Sequence, residues 1–433
     1  MSTLKTKINN LLFLYKNSQL IKVSSKNATQ VIVRLLMGLL NIKITSLLVG
    51  ASGMALLSQF YNVIQFSTNI ANGGIMHGVT KLTAQFEHSY NKRKLVVHNA
   101  LLITLVFTLI PSCTLLLFSE KIAISFLYDI KYSGVLRASG ILIFSMALNN
   151  LLLAYTNGIQ DYKRYIHLNI AASIISTIIT LPAIYFYGVN GGLWAQYIAA
   201  LTITLITIIK IHDYLPSIHK LIFSKTISTR LIKFGLMLLV ASSTTPLVSI
   251  SIRNVIVENC SLDQAGWWDG INKISSTYIS LIISMLSLYF LPKISKTMST
   301  KELNSEIKQS LLVTIPFVAL GSFLIYFFRD LIISLLFTEQ FRNMRYLFIF
   351  QCIGDVVRIF NWFFAITVMM REQTKEYIIV ELTMALIIIG SAYLVIPKMG
   401  IIGSTVIYTI NTFIYSIFVI TIYKRMIRKS RKT

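Results

Sequence analysis

The sequence is poor in charged residues, which occupy only 13% of its 433 positions. A typical soluble globular protein carries about 25%. Acidic residues are especially scarce, with 16 Asp and Glu against 40 Lys and Arg, whereas hydrophobic residues make up 55% of the chain. This composition excludes an ordinary soluble fold and predicts a protein that lives in a membrane.

Cysteine is also scarce, and signatures of catalysis or nucleotide binding are missing. Cys113, Cys260 and Cys352 are scattered, so they predict neither a disulfide framework nor a metal site. No Walker loop, dinucleotide fingerprint or HExxH motif occurs. Residues 1–27 hold five lysines, but their apolar run from Leu11 to Leu14 is too short for a signal peptide. We therefore expect no cofactor, no metal and no cleaved signal.

Long apolar runs are what the sequence has in abundance. A run of about 20 apolar residues can cross the ~30 Å hydrocarbon core of a bilayer as a helix. Twelve such runs, numbered spans 1 to 12, lie at residues 28–50, 54–76, 95–118, 138–158, 166–187, 189–210, 231–252, 267–291, 309–329, 346–369, 377–397 and 400–422. The sequence therefore predicts an all-α integral membrane protein with twelve transmembrane helices.

The net charge of +24 is distributed in the way that membrane topology requires. With the N-terminus in the cytoplasm, 27 of the 40 Lys and Arg fall in cytoplasmic segments, 8 in the opposite loops and 5 within spans. Such an asymmetry follows the positive-inside rule. We therefore expect a multi-pass protein with both termini in the cytoplasm, and no nucleic-acid partner.

The chain repeats itself at an offset of 212 or 213 residues. The matched pairs are Gly53 and Gly266, Lys81 and Lys293, Asn149 and Asn361, Tyr165 and Tyr377, and Gly188 and Gly400. Each unit holds six spans, so both units have the same orientation. The predicted divisions are a basic cytoplasmic segment at 1–27, a six-helix lobe at 28–210, a cytoplasmic linker at 211–230, a second six-helix lobe at 231–423 and a basic tail at 424–433.

Two predicted helices carry a polar strip on one face. In span 8 the strip contains Asp269, Lys273, Ser276, Ser280, Ser284 and Ser287, and in span 2 it contains Ser58, Asn62, Gln65, Asn69 and Asn72. Such a strip must turn away from lipid, toward protein or a water-filled cavity. We expect sugar-facing surfaces at Asn62, Gln65, Asn69, Asn72, Ser276, Ser280 and Ser284, although Ser and Asn strips also cement helices together.

Eight ionisable side chains fall within the predicted spans. Each charge near the middle of a bilayer costs about 2.5–3.5 kcal/mol, so most of them must be paired, hydrated or at an interface. The candidate cations for binding a diphosphate are Arg34, Lys43, Lys273 and Arg358, with Arg253 at the end of span 7, and the candidate acids for ion coupling are Asp269, Asp355 and Glu381. Local ion pairs, Asp269 with Lys273 and Asp355 with Arg358, are the alternative.

Hydroxyl and amide groups suit a sugar, and Lys and Arg suit phosphate. A ligand that combines sugars, phosphate groups and a lipid tail is a polyprenyl-diphosphate-linked oligosaccharide.

Several segments resemble the Wzx-type bacterial flippases. They are GGIMHGVTKLTAQF (73–86), YGVNGGLWAQYIAA (187–200), AGWWDGINKISSTYISLIISMLSLYFLPKISK (265–296) and RDLIISLLFTEQFRNMRYLFIFQCIGDVVRIFNWFF (329–364). The resemblance implies the multidrug/oligosaccharidyl-lipid/polysaccharide (MOP) exporter fold, in which two six-helix bundles form a V around a central cavity and work by alternating access. It also implies transport of O-antigen-type repeat units on undecaprenyl diphosphate across the bacterial inner membrane.

The same resemblance marks particular residues and partners. Lys43, Lys81, Asp355 and Arg358 match charged positions of that family, so Lys81 joins the candidate diphosphate ligands. Asp269 and Lys273 do not match. A polymerase and a chain-length regulator of the same pathway are the partners that the resemblance implies, beside the lipid bilayer itself.

Two other classes of protein remain open. A membrane-embedded glycan polymerase or ligase is expected to have a long outer loop, whereas the longest outer segment here is 119–137 and holds no histidine. A drug or cation antiporter of the same superfamily is expected to have an acidic cavity. The candidate cavity of this chain leans basic, so we expect a transporter rather than an enzyme.

Overall fold

The computed structural model describes residues 19–215, 222–295, 300–371 and 374–430. Residues 1–18 of the predicted N-terminal segment, 216–221 of the predicted linker and 431–433 of the predicted tail lie outside the described residues. The helices are α1 Gln19–Ala71, α2 Met76–Gln85, α3 Tyr90–Leu117, α4 Ser119–Leu127, α5 Ser133–Gly158, α6 Tyr162–Ile211, α7 Lys225–Asn259, α8 Leu262–Ser295, α9 Thr300–Phe327, α10 Arg329–Leu336, α11 Phe348–Met370, α12 Thr374–Met399 and α13 Ile402–Ser430.

The all-α membrane fold that the sequence predicts is confirmed. Each predicted span lies on a helix, and nine of the helical stretches in the described parts are long and apolar enough to cross a membrane. That number is smaller than twelve because α1 and α6 each carry two predicted spans as one bent helix. Span 8, with its polar strip, lies on α8 and is not among the nine.

Glycine residues lie at the bends in the long helices and at the turn between α12 and α13. Gly50 in α1 and Gly188 in α6 have φ of 65° and 57°, and Gly400 between α12 and α13 has φ of 61°. This left-handed region is accessible to glycine at little cost. The bends divide α1 into residues 19–49 (α1a) and 51–71 (α1b), and α6 into 162–187 (α6a) and 189–211 (α6b). All three glycines lie at one end of the bundle, named the kink end.

The opposite end, where the described chain begins at Gln19 and finishes at Ser430, is named the terminal end. Helices α1–α6 form the N-lobe, and α7–α13 form the C-lobe. Each lobe contains a long helix, a short helix and a 3-10 turn in the same order, α3 to α5 in one and α9 to α11 in the other.

The repeated asparagines have matching roles. Asn149 of α5 accepts a hydrogen bond from Thr207 of α6b at 2.9 Å. Asn361 of α11 donates to the backbone oxygen of Thr412 in α13 at 2.8 Å. Each asparagine therefore joins the fourth and sixth spans of its own lobe, as a structural repeat requires.

Large apolar side chains are exposed around the outside of both lobes, among them Leu109, Phe186, Phe317 and Leu386, which are 61–73% exposed. In water such a surface would aggregate. In a bilayer it faces hydrocarbon. The surface therefore agrees with membrane embedding through both lobes.

Candidate transport cavity and its seal

A buried ion pair lies at the kink end, between Arg253 of α7 and Asp269 of α8. Their side chains are only 2% and 5% exposed. Arg253 Nε donates to Asp269 Oδ2 at 2.9 Å, and Nη2 donates to Oδ1. The guanidinium also lies over the ring of Trp268, 5.5 Å from its centroid. A bidentate pair of this kind occupies both groups, so neither is free for a ligand in this conformation.

This ion pair is bonded across the interface to the N-lobe. Arg253 Nη1 donates to Gln59 Oε1 of α1b. Gln59 Nε2 in turn donates to Asn254 Oδ1 at 2.8 Å, and Tyr128 Oη donates to the same oxygen at 2.7 Å. We call these five residues, Gln59, Tyr128, Arg253, Asn254 and Asp269, the kink-end network. It ties α1 and the end of α4 to α7 and α8.

Tyr128 reaches this network with a strained backbone. Its φ is 59°, in the left-handed region that costs a side-chain-bearing residue roughly 1–2 kcal/mol. It follows the last residue of α4. Such strain persists only where surrounding contacts stabilise it. The hydrogen bond from Tyr128 to Asn254 is one such contact, so the strain is tied to closure of this end.

An apolar seal surrounds the network at the same end. Ile42, Ala51 and Met54 of the N-lobe pack with Ile271, Ile274, Phe337, Phe341, Met344 and Leu347 of the C-lobe. Gly266 of α8 lies directly against the backbone of Ala51, where a Cβ would collide with its carbonyl oxygen. The two lobes are therefore in close backbone contact at the kink end.

Lys43 belongs to this seal rather than to an open surface. Its Nζ donates to the backbone oxygens of Phe337 at 3.3 Å and Ser334 at 3.4 Å. Ser46 donates to the oxygen of Leu336 at 3.2 Å. These carbonyls close α10, whose C-terminal end carries partial negative charge. The cation of α1a thus binds the end of a C-lobe helix across the interface.

Three other cations of the spans have a different environment. Arg34 and Arg358 are exposed and Lys273 is half-buried. None of the three forms an ion pair within the described parts of the chain. Arg358 lies ten residues into α11, about 15 Å from the kink end. A charge at that depth is too costly to face lipid, so it must face protein or water.

Tyrosine accompanies two of these cations. Tyr61 of α1b is 55% exposed and lies near enough to Arg34 to feel its charge. Tyr408 of α13 interacts with Arg358. The Tyr408 hydroxyl already donates its proton to Asp355, so only Tyr61 can add a neutral donor for an anionic, hydroxylated ligand.

Asp355 is held inside the C-lobe by neutral donors. Ser275 Oγ donates to Oδ1 at 2.8 Å, Tyr408 Oη at 2.7 Å and Gln351 Nε2 at 3.3 Å, and Tyr278 Oη donates to Oδ2. Asp355 itself is fully buried. The local pair with Arg358 that the sequence left open is not among the ion pairs of the described residues. The hydroxyls join α8, α11 and α13 around one carboxylate.

The other predicted charges lie farther from the network. Glu381 of α12 is half-buried and accepts a hydrogen bond from Tyr415 of α13 at 3.1 Å. Lys81 is exposed on α2, the short helix at the terminal end. Lys293, its match in the repeat, forms an ion pair with the buried Glu306.

The serine strip of α8 stays on one helical face. Ser276, Ser280 and Ser284 donate to carbonyl oxygens of their own helix at 3.1, 2.9 and 2.6 Å. A hydroxyl that donates in this way keeps its lone pairs for another donor, such as a sugar hydroxyl. Ser276 is exposed, and the other two are half-buried.

The strip of α1b is partly used in packing. Gln65 donates to Asn69 at 3.0 Å, and Asn69 donates to the oxygen of Ser242 in α7 at 2.7 Å. Asn72 is buried, and its Oδ1 has no partner within the described structure. Asn62 is half-buried. Gln65 and Asn69 therefore help to hold helices together, and the sugar-facing role of the strip stays a prediction.

Helix α7 is attached to the N-lobe toward the terminal end as well. Gly74 lies against the backbone of Gly235, too close for a Cβ. Asn99 of α3 accepts from Ser224 N and from Ser228 Oγ, both at 2.8 Å. The hydrogen bonds described between α1a and the C-lobe come instead from Lys43 and Ser46, near the kink end. Among the described hydrogen bonds, α1a is therefore joined to the C-lobe near the kink end, whereas α7 is joined to the N-lobe toward both ends.

Sequence reasoning missed Gln59, Tyr128, Asn254 and Tyr408. They lie apart from the two strips, and their partners are between 53 and 195 positions away along the chain. The paired glycines Gly73 and Gly74 were a usable sequence signal of close backbone approach. In the structure both have positive φ, and Gly74 lies against the backbone of Gly235.

The fold places the chain in a structural class of helical membrane proteins for which solved structures exist. An inward-facing multidrug resistance MATE family transporter of the MOP superfamily superposes with a TM-score of 0.78 at 15% identity, covering 93% of this chain and 96% of that one. The inward closed conformation of the lipid II flippase MurJ superposes with a TM-score of 0.74 at 16% identity, covering 95% and 90%. The MOP fold that the resemblance implies is confirmed.

Within that class, the chain belongs to the polysaccharide biosynthesis protein family, whose sequence pattern matches residues 56–345. The lipid III flippase of Escherichia coli (strain K12) is 28% identical over 399 residues, covering 92% of this chain and 96% of that protein. The relationship therefore extends over nearly the whole length of both chains.

Proposed function

We propose that this protein is a flippase for undecaprenyl-diphosphate-linked oligosaccharide repeat units of O-antigen type, working by alternating access in the bacterial inner membrane. The observation that carries the proposal is an interface between the lobes that is closed at the kink end, together with cations in the spans that have no ion-pair partner among the described residues. The names of the relatives, a lipid III flippase and a lipid II flippase, agree with a lipid-linked substrate.

The distribution of basic residues orients the molecule. The segments that hold 27 of the 40 Lys and Arg are predicted to be cytoplasmic, which puts the terminal end in the cytoplasm and the kink end in the periplasm. The structure then corresponds to the inward-facing state. A head group made in the cytoplasm enters from the terminal end and meets the closed seal.

The diphosphate is recognised in this state by Arg34, Lys273 and Arg358, because these cations have no ion-pair partner among the described residues. The serines of α8 face the sugars. Lys43 and Arg253 are occupied by the seal and become available only when the lobes separate at the kink end. Lys81, at the cytoplasmic mouth, is placed to attract the anionic head group.

The lipid tail remains in the bilayer during transport. It leaves the cavity between α1a and α8, where Ile32 and Leu36 on one side and Met285 on the other are 55–68% exposed. The packed seam between α1b and α7 closes the opposite side. The head group can therefore cross without the tail leaving hydrocarbon.

An ion that binds a carboxylate of the spans would give the cycle its direction. Asp269 is the best placed, since its protonation would weaken the pair with Arg253 and loosen the kink-end network. Asp355 and Glu381 are bonded within the C-lobe. A polymerase and a chain-length regulator would then use the flipped repeat unit.

The proposal is tested in a strain from which the gene is deleted. We expect surface glycan to be lost and undecaprenyl-linked repeat units to accumulate on the cytoplasmic face, with wild-type protein restoring both. Normal polymerised glycan in the deletion strain would contradict the proposal. Single repeat units that are already flipped but not polymerised would favour a polymerase.

The site is tested by Arg358→Ala, with Arg425→Ala as its control. Arg425 is exposed at the terminal end of α13, away from the cavity. We expect Arg358→Ala to lose surface glycan at unchanged protein level and Arg425→Ala to keep it. Equal effects of the two substitutions would contradict the cationic cavity. Lys293 is a poor control because its removal leaves the buried Glu306 unpaired.

A further inference from the structure

A second basic site lies outside the transport cavity, at the terminal end of the N-lobe. A pocket of about 460 Å³ opens between the start of α6a and the end of α6b. Lys163, Arg164, His167 and Lys210 line it together with one acid, Asp161. With the histidine neutral, three cations and one carboxylate leave it with an excess of two positive charges.

Arg164 is built into this pocket. Its guanidinium lies over the ring of Tyr214, 4.6 Å from the centroid, and its Nε is 3.4 Å from Asp161 Oδ2. Tyr214 is held in turn, because its backbone oxygen accepts from Tyr155 Oη at 3.0 Å. Arg164 Nη1 is buried and has no hydrogen-bond partner in the described structure. A buried donor of this kind calls for an acceptor that the protein does not supply.

The surroundings of the pocket are those of a membrane interface. Tyr162 and Tyr214 are 37% and 38% exposed, as aromatic residues at the headgroup level are. On α6b, on the side of these tyrosines toward the kink end, Leu205 and Ile209 are 60% and 65% exposed and form an apolar surface. A molecule whose anionic group lies in the pocket would therefore have its apolar part beside the helix.

Most basic residues of this site are not repeated in the sequence of the C-lobe. At the repeat offset of 212 residues, Lys163 corresponds to Lys375, but Arg164 corresponds to Glu376, His167 to Ile379 and Lys210 to Ile422. A general excess of positive charge in cytoplasmic segments would affect both lobes alike. The cluster is therefore a local feature of the N-lobe.

We propose that this pocket binds the phosphate headgroup of an anionic phospholipid of the cytoplasmic leaflet, with its acyl chains along α6b. Arg164 supplies the buried donor, and Lys163 and Lys210 supply charge at the rim. The site is separate from the cavity and does not depend on what the cavity transports. Its role is to hold the N-lobe to the lipid surface.

The test measures lipid retained by the purified full-length protein in native mass spectrometry. Protein is exchanged into mixed micelles with either phosphatidylglycerol or phosphatidylcholine. We expect wild-type protein to retain phosphatidylglycerol preferentially, and Lys163→Ala/Lys210→Ala to bind it about tenfold more weakly. The control is Lys375→Ala/Lys424→Ala, which removes two exposed lysines from the same end of the C-lobe and should keep wild-type retention.

Three results would overturn the proposal. The first is unchanged retention in Lys163→Ala/Lys210→Ala, and the second is an equal loss in both double variants, which would show unspecific attraction. The third is displacement of the lipid by inorganic phosphate at comparable concentration, which would indicate a site for a soluble anion. A titration with undecaprenyl diphosphate separates the two lipid sources, because its preferential retention here would make this an entry site for substrate.

Discussion

The interface between the lobes and the core of the C-lobe each bury a carboxylate, and they satisfy it in opposite ways. Asp269 is paired with a cation, Arg253, that is itself bonded to the N-lobe through Gln59. Asp355 is surrounded by neutral donors that all belong to the C-lobe. The first arrangement changes if the lobes separate, and the second does not. Burial alone therefore does not distinguish a contact that changes when the lobes separate from one that is retained within a lobe.

The largest effect is expected from Arg253→Ala. It leaves the buried Asp269 without its counter-ion, which costs about 3–5 kcal/mol. We expect a strong loss of thermal stability in detergent and a reduced amount of folded protein in the membrane. Arg342→Ala is the control, since its partner Glu339 is 86% exposed and such surface pairs contribute about 0–1 kcal/mol. Equal stability of the two variants would contradict the buried pair.

Asp355→Ala should come next, since it deprives several hydroxyl donors of their shared acceptor. We expect a loss of about 1–3 kcal/mol, measured by thermal unfolding, and a smaller loss for Asp355→Asn. If the role is structural, Asp355→Asn keeps surface glycan. Loss of glycan in Asp355→Asn at full stability would place Asp355 in ion coupling and remove the contrast with Asp269.

Gln59→Leu tests the link between the lobes without removing a charge. It weakens the closed state while leaving each lobe intact, so the kink end should open more often. Cys260, just beyond α7, reports this opening, because burial raises the pKa of its thiol and keeps it protonated near neutral pH. Opening lowers that pKa toward its ordinary value and increases the reactive thiolate.

We therefore expect Cys260 in Gln59→Leu to react faster with a membrane-impermeant maleimide, by roughly two- to tenfold. The rate should rise with pH in both proteins, because the thiolate is the reactive form. Cys113, exposed on α3, is the internal control and should not change. An unchanged rate at Cys260 would mean that Gln59 does not hold the lobes together.

The smallest effect is expected from Lys43→Met. The two long hydrogen bonds from Lys43 to the end of α10 should contribute about 0.3–1 kcal/mol to the free energy of unfolding. Their loss in Lys43→Met should be detected as a slight decrease in melting temperature. If the lysine serves only the seal, surface glycan remains near the wild-type level. A complete loss of glycan at nearly unchanged stability would show instead that Lys43 contacts the transported head group in another state.

The sequence by itself determined the membrane class, the helical spans, the repeat and the faces that carry polar residues. These features follow from composition and from the 3.6-residue period, which are local properties of the chain. The motifs were sufficient to indicate the family. Gly188 and Gly400, which match in the repeat, both lie at bends, because few other residues accept the left-handed backbone.

Only the tertiary structure decided which charges meet. Asp269 has Lys273 one turn away on its own helix, yet its ion-pair partner is Arg253 on the neighbouring helix α7. Asp355 bonds tyrosines of α8 and α13 rather than pairing with Arg358. The period of a helix determines which side chains share a face, but the helix that this face meets depends on how the lobes pack. That packing is set by contacts such as Gly266 on Ala51, between residues more than 200 positions apart.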